Sequence, residues 1–247
     1  MLKNYQNNNK FKNTKLINNI IKSALGYYGL KISREDSSIF NYNFTVNSDF
    51  SLILIGAHNG RKSKKLINKA LKFGKICLIE PTPYLFNILK KEYDSYKNIY
   101  LINECITPTE KNSVDFFITS EKANSIDEYG DQLGSLNSQH AKNHNKNLEK
   151  FTKKISIPSL TVNKLLGKIN CGSIDYLFID TEGSDIEILL SFPFHKIKPK
   201  TIIFEHKFSD GHLLIGKNFI KCINLLNDNN YKIKIIDSEN AKAVLIN

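Results

Sequence analysis

Residues 52–86 read "LILIGAHNGRKSKKLINKALKFGKICLIEPTPYLF". An apolar run stops at Gly56 and a five-residue turn ends at Gly60. A basic stretch then repeats its apolar residues every three to four positions, and a second apolar run stops at Glu80. Period-two or fully apolar runs flanking a 3.6-period stretch predict a βαβ unit. The strands are Ser51 to Ile55 and Ile76 to Glu80, with a helix over Arg61 to Phe73 closed by Gly74 as its C-terminal cap. Thr82 and Pro83 supply an N-cap and a first-turn proline for the next helix.

Downstream, the pattern predicts strands at Ile99 to Asn103, Ile174 to Ile179 and Thr201 to Phe204, and an extra strand at Val114 to Thr119. Helices follow from Thr161 to Leu166 and from Lys217 to Asn227, and Ser184 with Glu187 forms an S-x-x-E capping box. Tyr231 to Ile236 and Ala243 to Ile246 are close enough to form a terminal hairpin. Residues 121–154 are polar, rich in His, Asn and Ser, and read as a long irregular insertion. Strands alternating with helices before a closing hairpin imply a mostly parallel sheet with one antiparallel strand and helices on both faces. Upstream, Leu16, Ile17, Ile20, Ile21, Ala24 and Leu25 recur at helical spacing, so residues 1–48 read as a helical extension and 49–247 as a single domain.

The chain has 247 residues and a formal net charge of +11. Its lysines are spread along the whole length, and no separate basic or aromatic-rich module argues for a nucleic-acid partner. Cys77, Cys105, Cys171 and Cys222 are widely separated, without C-x-x-C pairs or histidines at zinc-ligand spacing, and read as reduced core residues. No apolar run is long enough to span a membrane and the polar start has no signal-peptide pattern, which predicts a cytoplasmic protein.

In an open parallel sheet, ligands lie beyond the carboxyl ends of the strands. Gly56 and Gly60 let the backbone bend and approach a ligand, and Glu80 stands where a carboxylate can take both hydroxyls of a ribose. The turn lacks the third glycine that sets a helix N-terminus against a pyrophosphate. A cofactor with adenosine but no phosphates fits, namely S-adenosylmethionine.

These blocks resemble the FkbM-type S-adenosylmethionine-dependent methyltransferases. "LIGAHNG" is similar to the family's D-V-G-A-N-x-G turn, "LIEPTPYLFNIL" to its E-P-x-P-x-x-F-x-x-L and "NECI" to its N-x-A-hydrophobic block. "IDYLFIDTEGSDIEILL" is similar to D-x-I-K-I-D-x-E-G-x-E-x-x-V-L, and "TIIFEH" to the strand ending in Glu. The resemblance implies a class I methyltransferase fold, Rossmann-like, with a seven-stranded sheet. It also implies O-methylation of a sugar hydroxyl in a glycan or glycosylated metabolite. Cofactor contacts are implied for Gly56, Ala57, His58, Asn59, Gly60, Glu80, Pro81, Asn103, Glu104, Cys105 and Asp180. Leu54 and His58 replace the family's Asp and Asn, which favours one alternative, a degenerate cofactor-binding interaction module. An RNA methyltransferase is the other.

Methyl transfer is an in-line displacement at a sulfonium, so the protein must align the acceptor oxygen and take its proton. Asp180, Glu182 and His206 are the catalytic candidates, with Glu205 beside His206. A carboxylate base is preferred to a metal held by Asp180, Glu182 and His206, because "DTEG" supplies only two carboxylates and a third ligand must come from another strand. His140 and His144, four residues apart, read as an exposed solvated face, and Ser135 and Ser138 as acceptor-contact candidates.

Overall fold

The computed structural model describes residues 42–210 and 216–246. The helix expected at Leu16 to Leu25 lies outside them. The strands of the main sheet are β1 (Phe50–Ile55), β2 (Lys75–Ile79), β3 (Ile99–Ile102), β7 (Ile174–Ile179), β8 (Thr201–Glu205), β9 (Tyr231–Ile235) and β10 (Asn240–Leu245), with β4 (Cys105–Ile106), β5 (Ser113–Thr119) and β6 (Thr152–Leu160) set apart from it. Their spatial order is β3-β2-β1-β7-β8-β10-β9. All neighbours pair in parallel except β10, which is antiparallel to β8 and β9. This is the class I methyltransferase arrangement expected from the sequence.

Burial follows the patterning. β1 is buried at every residue because both of its faces are covered, which is why it reads as an unbroken apolar run. β9, at the sheet edge, alternates buried Tyr231, Ile233 and Ile235 with exposed Lys232 and Lys234. On one face, α1 (Lys64–Ala70) and α2 (Pro83–Tyr93) bury Leu66, Ile67, Ala70, Leu89 and Tyr93 together with Tyr42 and Phe44. On the other, α4 (Val162–Lys168), α5 (Asp185–Leu190) and α6 (Lys217–Asp228) bury Leu165, Leu189, Phe219 and Leu226.

Two local expectations differ. The first helix is shorter than its periodicity, and Gly74 is not a left-handed cap, since Leu71 ends the helix. Gly74 is needed for close approach instead: a Cβ there would stand 3.2 Å from the Ser48 carbonyl oxygen and 3.3 Å from the Ser51 nitrogen. The 121–154 stretch is not irregular. It holds three 3-10 turns and α3 (His140–His144), packed around Ala123, Leu133, Ala141 and Leu148. It then enters β6 (Thr152–Leu160), which pairs antiparallel with β5 (Ser113–Thr119) and parallel with β4 (Cys105–Ile106).

Residues 42–48 are tied to the sheet by Asp175, a buried acid near the start of the apolar strand β7. Its carboxylate accepts from Thr45 N and Oγ1 at 2.7 Å each, Ser48 Oγ at 2.5 Å and Lys200 Nζ at 2.8 Å. Burial opposes its ionisation, but these donors outweigh it and hold the carboxyl below its ordinary 3.8. A depressed carboxylate stabilises the fold above its unfolded value, and that contribution is lost as pH falls through the folded value. Asp175→Asn should therefore cost about 3 kcal/mol in urea unfolding at neutral pH and flatten the stability profile below about pH 4. An unchanged profile would remove Asp175 as the anchor.

Candidate active site

The strand order reverses between β1 and β7, so their carboxyl ends open a crevice. Gly56 has φ +85°, and its N–H and that of Ala57 both donate to the Ile79 carbonyl at 2.9 Å, strapping the turn to β2. His58 N–H donates to Glu80 Oε2 at 2.8 Å and Thr82 N–H to Oε1 at 2.7 Å. Glu80 thus braces the turn against the start of α2, and each oxygen keeps a lone pair for a further donor. Burial pushes its carboxyl up, against His58 and the two backbone donors.

Two cavities meet at Gly56, His58, Gln132 and Asp180. One, about 700 Å³, extends along α1 past Ala57 and Asn59. The other, with about 30 Å³ of free space, runs under the β2 end past Glu80, Pro81, Thr82 and Cys105. Of the expected cofactor residues, Gly56, Ala57, His58, Asn59, Glu80, Pro81, Cys105 and Asp180 line this space. Gly60, Asn103 and Glu104 do not. A Cβ on Gly60 would press on Leu89 and Tyr93, so that glycine serves the packing of α2. Asn103 donates to the carbonyls of Glu80 and Pro81, and Glu104 pairs with Lys168. Phe116, Gln132, Gly134 and Leu136 complete the wall from β5 and the insertion. No sequence motif marked those four.

Beyond β7, Glu182 has φ +55° and Gly183 φ +115°. Ser184 makes no side-chain capping bond; Asp185 organises this turn instead, accepting from Thr181 N at 3.1 Å, Thr181 Oγ1 at 2.5 Å and Glu205 N at 3.0 Å. The expected capping box is replaced by a carboxylate that ties the β7 turn to β8.

Four acids now crowd one another, Asp185 and Glu205 buried and Asp180 and Glu182 half-buried. Burial and the Asp180 charge push Asp185 up to about 7. Burial, then Glu182, Asp180 and Asp185, push Glu205 up to about 9 despite Lys207 Nζ at 2.8 Å. Asp180 is also raised by burial and Glu182, against the pull of His58. Glu182 goes the other way: burial opposes its charge, but the His140 hydrogen bond and the charges of His140, His58 and Lys207 bring it down to about 2. For His58, burial disfavours the cation, and Asp180, Glu80 and Glu182 more than restore it.

His140 corrects a sequence expectation. It is 4% exposed rather than solvated, and its Nε2 lies 2.9 Å from Glu182 Oε2. His144 Nε2 is 4.0 Å from the same oxygen. His206 differs as well. Its buried ring packs against Phe219, neither nitrogen has a hydrogen-bond partner among the described residues, and burial lowers its pKa. Among the described residues, the groupings suited to a metal are His140, His144, Glu182 and His58, Asp180, Glu182; neither includes His206.

A third pocket lies beside the narrow cavity. It shares Leu136 and Ser184 with that cavity and is lined by Ser135, Asn137, His140, Asn143, Glu182 and Phe208. Ser135 Oγ donates to the Glu182 carbonyl at 2.9 Å, fixing this wall. Ser138, the other acceptor-contact candidate, is exposed and lies outside the lining.

A family model described as "Methyltransferase FkbM domain" matches residues 55–233. A search of curated proteins finds no match. Among solved structures, a methyltransferase FkbM from Methylobacillus flagellatus KT is 12% identical with a TM-score of 0.44, covering 82% of this chain and 44% of that one. A fibrillarin pre-rRNA processing protein from Methanococcus jannaschii is 13% identical with a TM-score of 0.42, covering 82% and 69%. A putative caffeoyl-CoA O-methyltransferase from Staphylococcus aureus is 12% identical with a TM-score of 0.41, covering 92% and 91%.

Proposed function

The chain belongs to the FkbM family of S-adenosylmethionine-dependent methyltransferases, and from that premise we propose that it methylates a hydroxyl group of a sugar, glycan or glycosylated metabolite. The observation that carries the reading is the adjacency of the two spaces. The cavity with Gly56, Glu80 and Asp180 on its wall lies beside the pocket with Glu182 on its wall, and Leu136 and Ser184 line both. A donor methyl at the Asp180 end would meet an acceptor from the Glu182 side, the alignment an in-line displacement needs.

In this reading Gly56, Ala57 and Asn59 flank the methionine part of S-adenosylmethionine, Glu80 takes the ribose and Cys105 faces the adenine, which requires the narrow cavity of about 30 Å³ to widen on binding. Asp180 receives the acceptor proton, since burial and Glu182 make it a stronger base than an ordinary aspartate. Ser135, Asn137 and Asn143 supply the polar groups that hydroxyl-rich acceptors require. The methyltransferase domain is taken as 49–247, with 1–48 as an extension whose residues 42–48 pack on it. No helix among the described residues is long and apolar enough to cross a membrane. The four cysteines are unpaired, in keeping with a cytoplasmic setting.

Calorimetry with S-adenosylmethionine, followed by methyl-transfer assays against a panel of nucleotide sugars and glycans, tests the reading. Glu80→Gln keeps one acceptor oxygen for the backbone donors but removes the charge facing the ribose, so cofactor affinity should fall roughly tenfold to a hundredfold. Affinity equal to the parent's would take Glu80, and with it the cofactor pose, out of the cavity.

A further inference from the structure

We propose that His140, His144 and Glu182 form a binding site for a divalent transition-metal ion of the zinc class, in the wall of the pocket beside the cofactor cavity. His140 and His144 are one turn apart on α3, so both rings leave the same face of that helix. Their Nε2 atoms stand 2.9 and 4.0 Å from one carboxylate oxygen, Glu182 Oε2. One donor atom from each residue lies within 4.8 Å of the other two. Zinc–ligand bonds of about 2.0–2.2 Å in a tetrahedron set neighbouring donors about 3.3–3.5 Å apart. The two measured separations bracket that spacing, so small rotations of the carboxylate and the His144 ring would bring all three onto one ion.

An ion pair alone would account for one histidine, and here two converge on the same oxygen. Phe208 stands edge-on to both rings, at 4.9 Å from His140 and 5.6 Å from His144, which fixes their planes. Glu182 is held toward them from the left-handed region, a conformation costly for a residue with a side chain. Two imidazoles and one carboxylate suit zinc or cobalt rather than magnesium, which prefers six oxygens. Three protein ligands leave a fourth position for the pocket. The alternative grouping, His58, Asp180 and Glu182, shares Glu182 but lies at the cofactor turn, where a metal would sit beside the sulfonium and repel it. The missing ligand for a metal at "DTEG" thus comes from the insertion, not from β8.

The metal site does not depend on the methyl-transfer reading. Only its consequence does, that a hydroxyl reaching the open position would become more acidic. The test uses the full chain without a histidine tag, treated with chelator, desalted and titrated with Co2+ and then Zn2+. One equivalent of Co2+ should give the intense visible absorption of four-coordinate geometry, and Zn2+ should displace it. Zinc affinity, from competition with a chromophoric chelator, should fall about a hundredfold or more in His144→Ala and in Glu182→Gln, and stay unchanged in His195→Ala, an exposed histidine. Circular dichroism would establish that each variant is folded. A folded chain that takes up neither ion overturns the site, as does uptake indifferent to both His144→Ala and Glu182→Gln. Metal uptake as described by a chain that does not bind S-adenosylmethionine would sink the methyl-transfer reading and leave the site standing; cofactor binding without metal uptake would do the reverse.

Discussion

Gly56→Ala is expected to abolish S-adenosylmethionine binding and to lower folding stability by about 3 kcal/mol or more, a severe effect for one methyl group. A Cβ at Gly56 would lie 1.7 Å from the Asp180 carbonyl oxygen and 2.7 Å from its carbon. That carbonyl is backbone and cannot swing aside, because Asp180 N–H is bonded to the Ile55 carbonyl at 2.9 Å. The left-handed φ of +85° adds about 1–2 kcal/mol of its own for an L residue. Relief requires β1 and β7 to separate where the crevice proposed for the cofactor opens, so binding and stability should fail together. Gly167→Ala in α4 is the control: a Cβ there meets nothing within 4 Å among the described residues, and the exchange should be neutral or stabilising by up to about 1 kcal/mol. Urea unfolding and calorimetry read both variants, and a Gly56→Ala protein with parental stability would mean that the turn is not built as described.

From the sequence, Gly56 appeared to need its hydrogen so that a ligand could approach; in the structure the obstacle is the neighbouring strand. Local patterning predicts which residues turn, but not which distant segment lies against the turn. The same limit explains His140. Its surroundings in sequence are polar, and it is buried only because the insertion folds on its own small core and lays α3 over Glu182. Ser184 and Glu187 have the spacing of a capping box, yet Asp185 captures the donors because Glu205 N–H, on another strand, completes its set. By contrast the central strands were fully legible. Burial on both faces forces an unbroken apolar run at Phe50–Ile55, and a one-sided edge forces the alternation at Tyr231–Ile235. The position of Glu80 at a strand end agrees with its place on the cavity wall, whereas its two bonds to His58 and Thr82 were not legible.

Asp180→Asn should reduce methyl transfer by roughly a hundredfold or more while leaving cofactor affinity near the parent's. The substitution keeps the side chain's size and one acceptor oxygen, and removes the charge that would take the acceptor proton. In the parent, burial and Glu182 raise the Asp180 pKa, so the active base is gained as pH rises through that raised value, and the acid limb of the rate profile should lie above the ordinary aspartate range. In Asp180→Asn that limb should disappear. Stability should move in the opposite direction from activity. A carboxyl whose folded pKa is raised binds its proton more tightly in the folded state, so its contribution becomes less favourable as pH rises from its unfolded value through the folded one. Removing it relieves Glu182, Asp185 and Glu205 of a neighbouring negative charge, and the variant should be at least as stable as the parent at neutral pH. Zinc affinity should be unchanged, since Asp180 is not among the three proposed ligands. An inactive, stable, metal-competent and cofactor-competent Asp180→Asn assigns the proton to Asp180. Retained activity would move the base elsewhere, and loss of metal binding would shift the ion from His144 to the His58 side of Glu182.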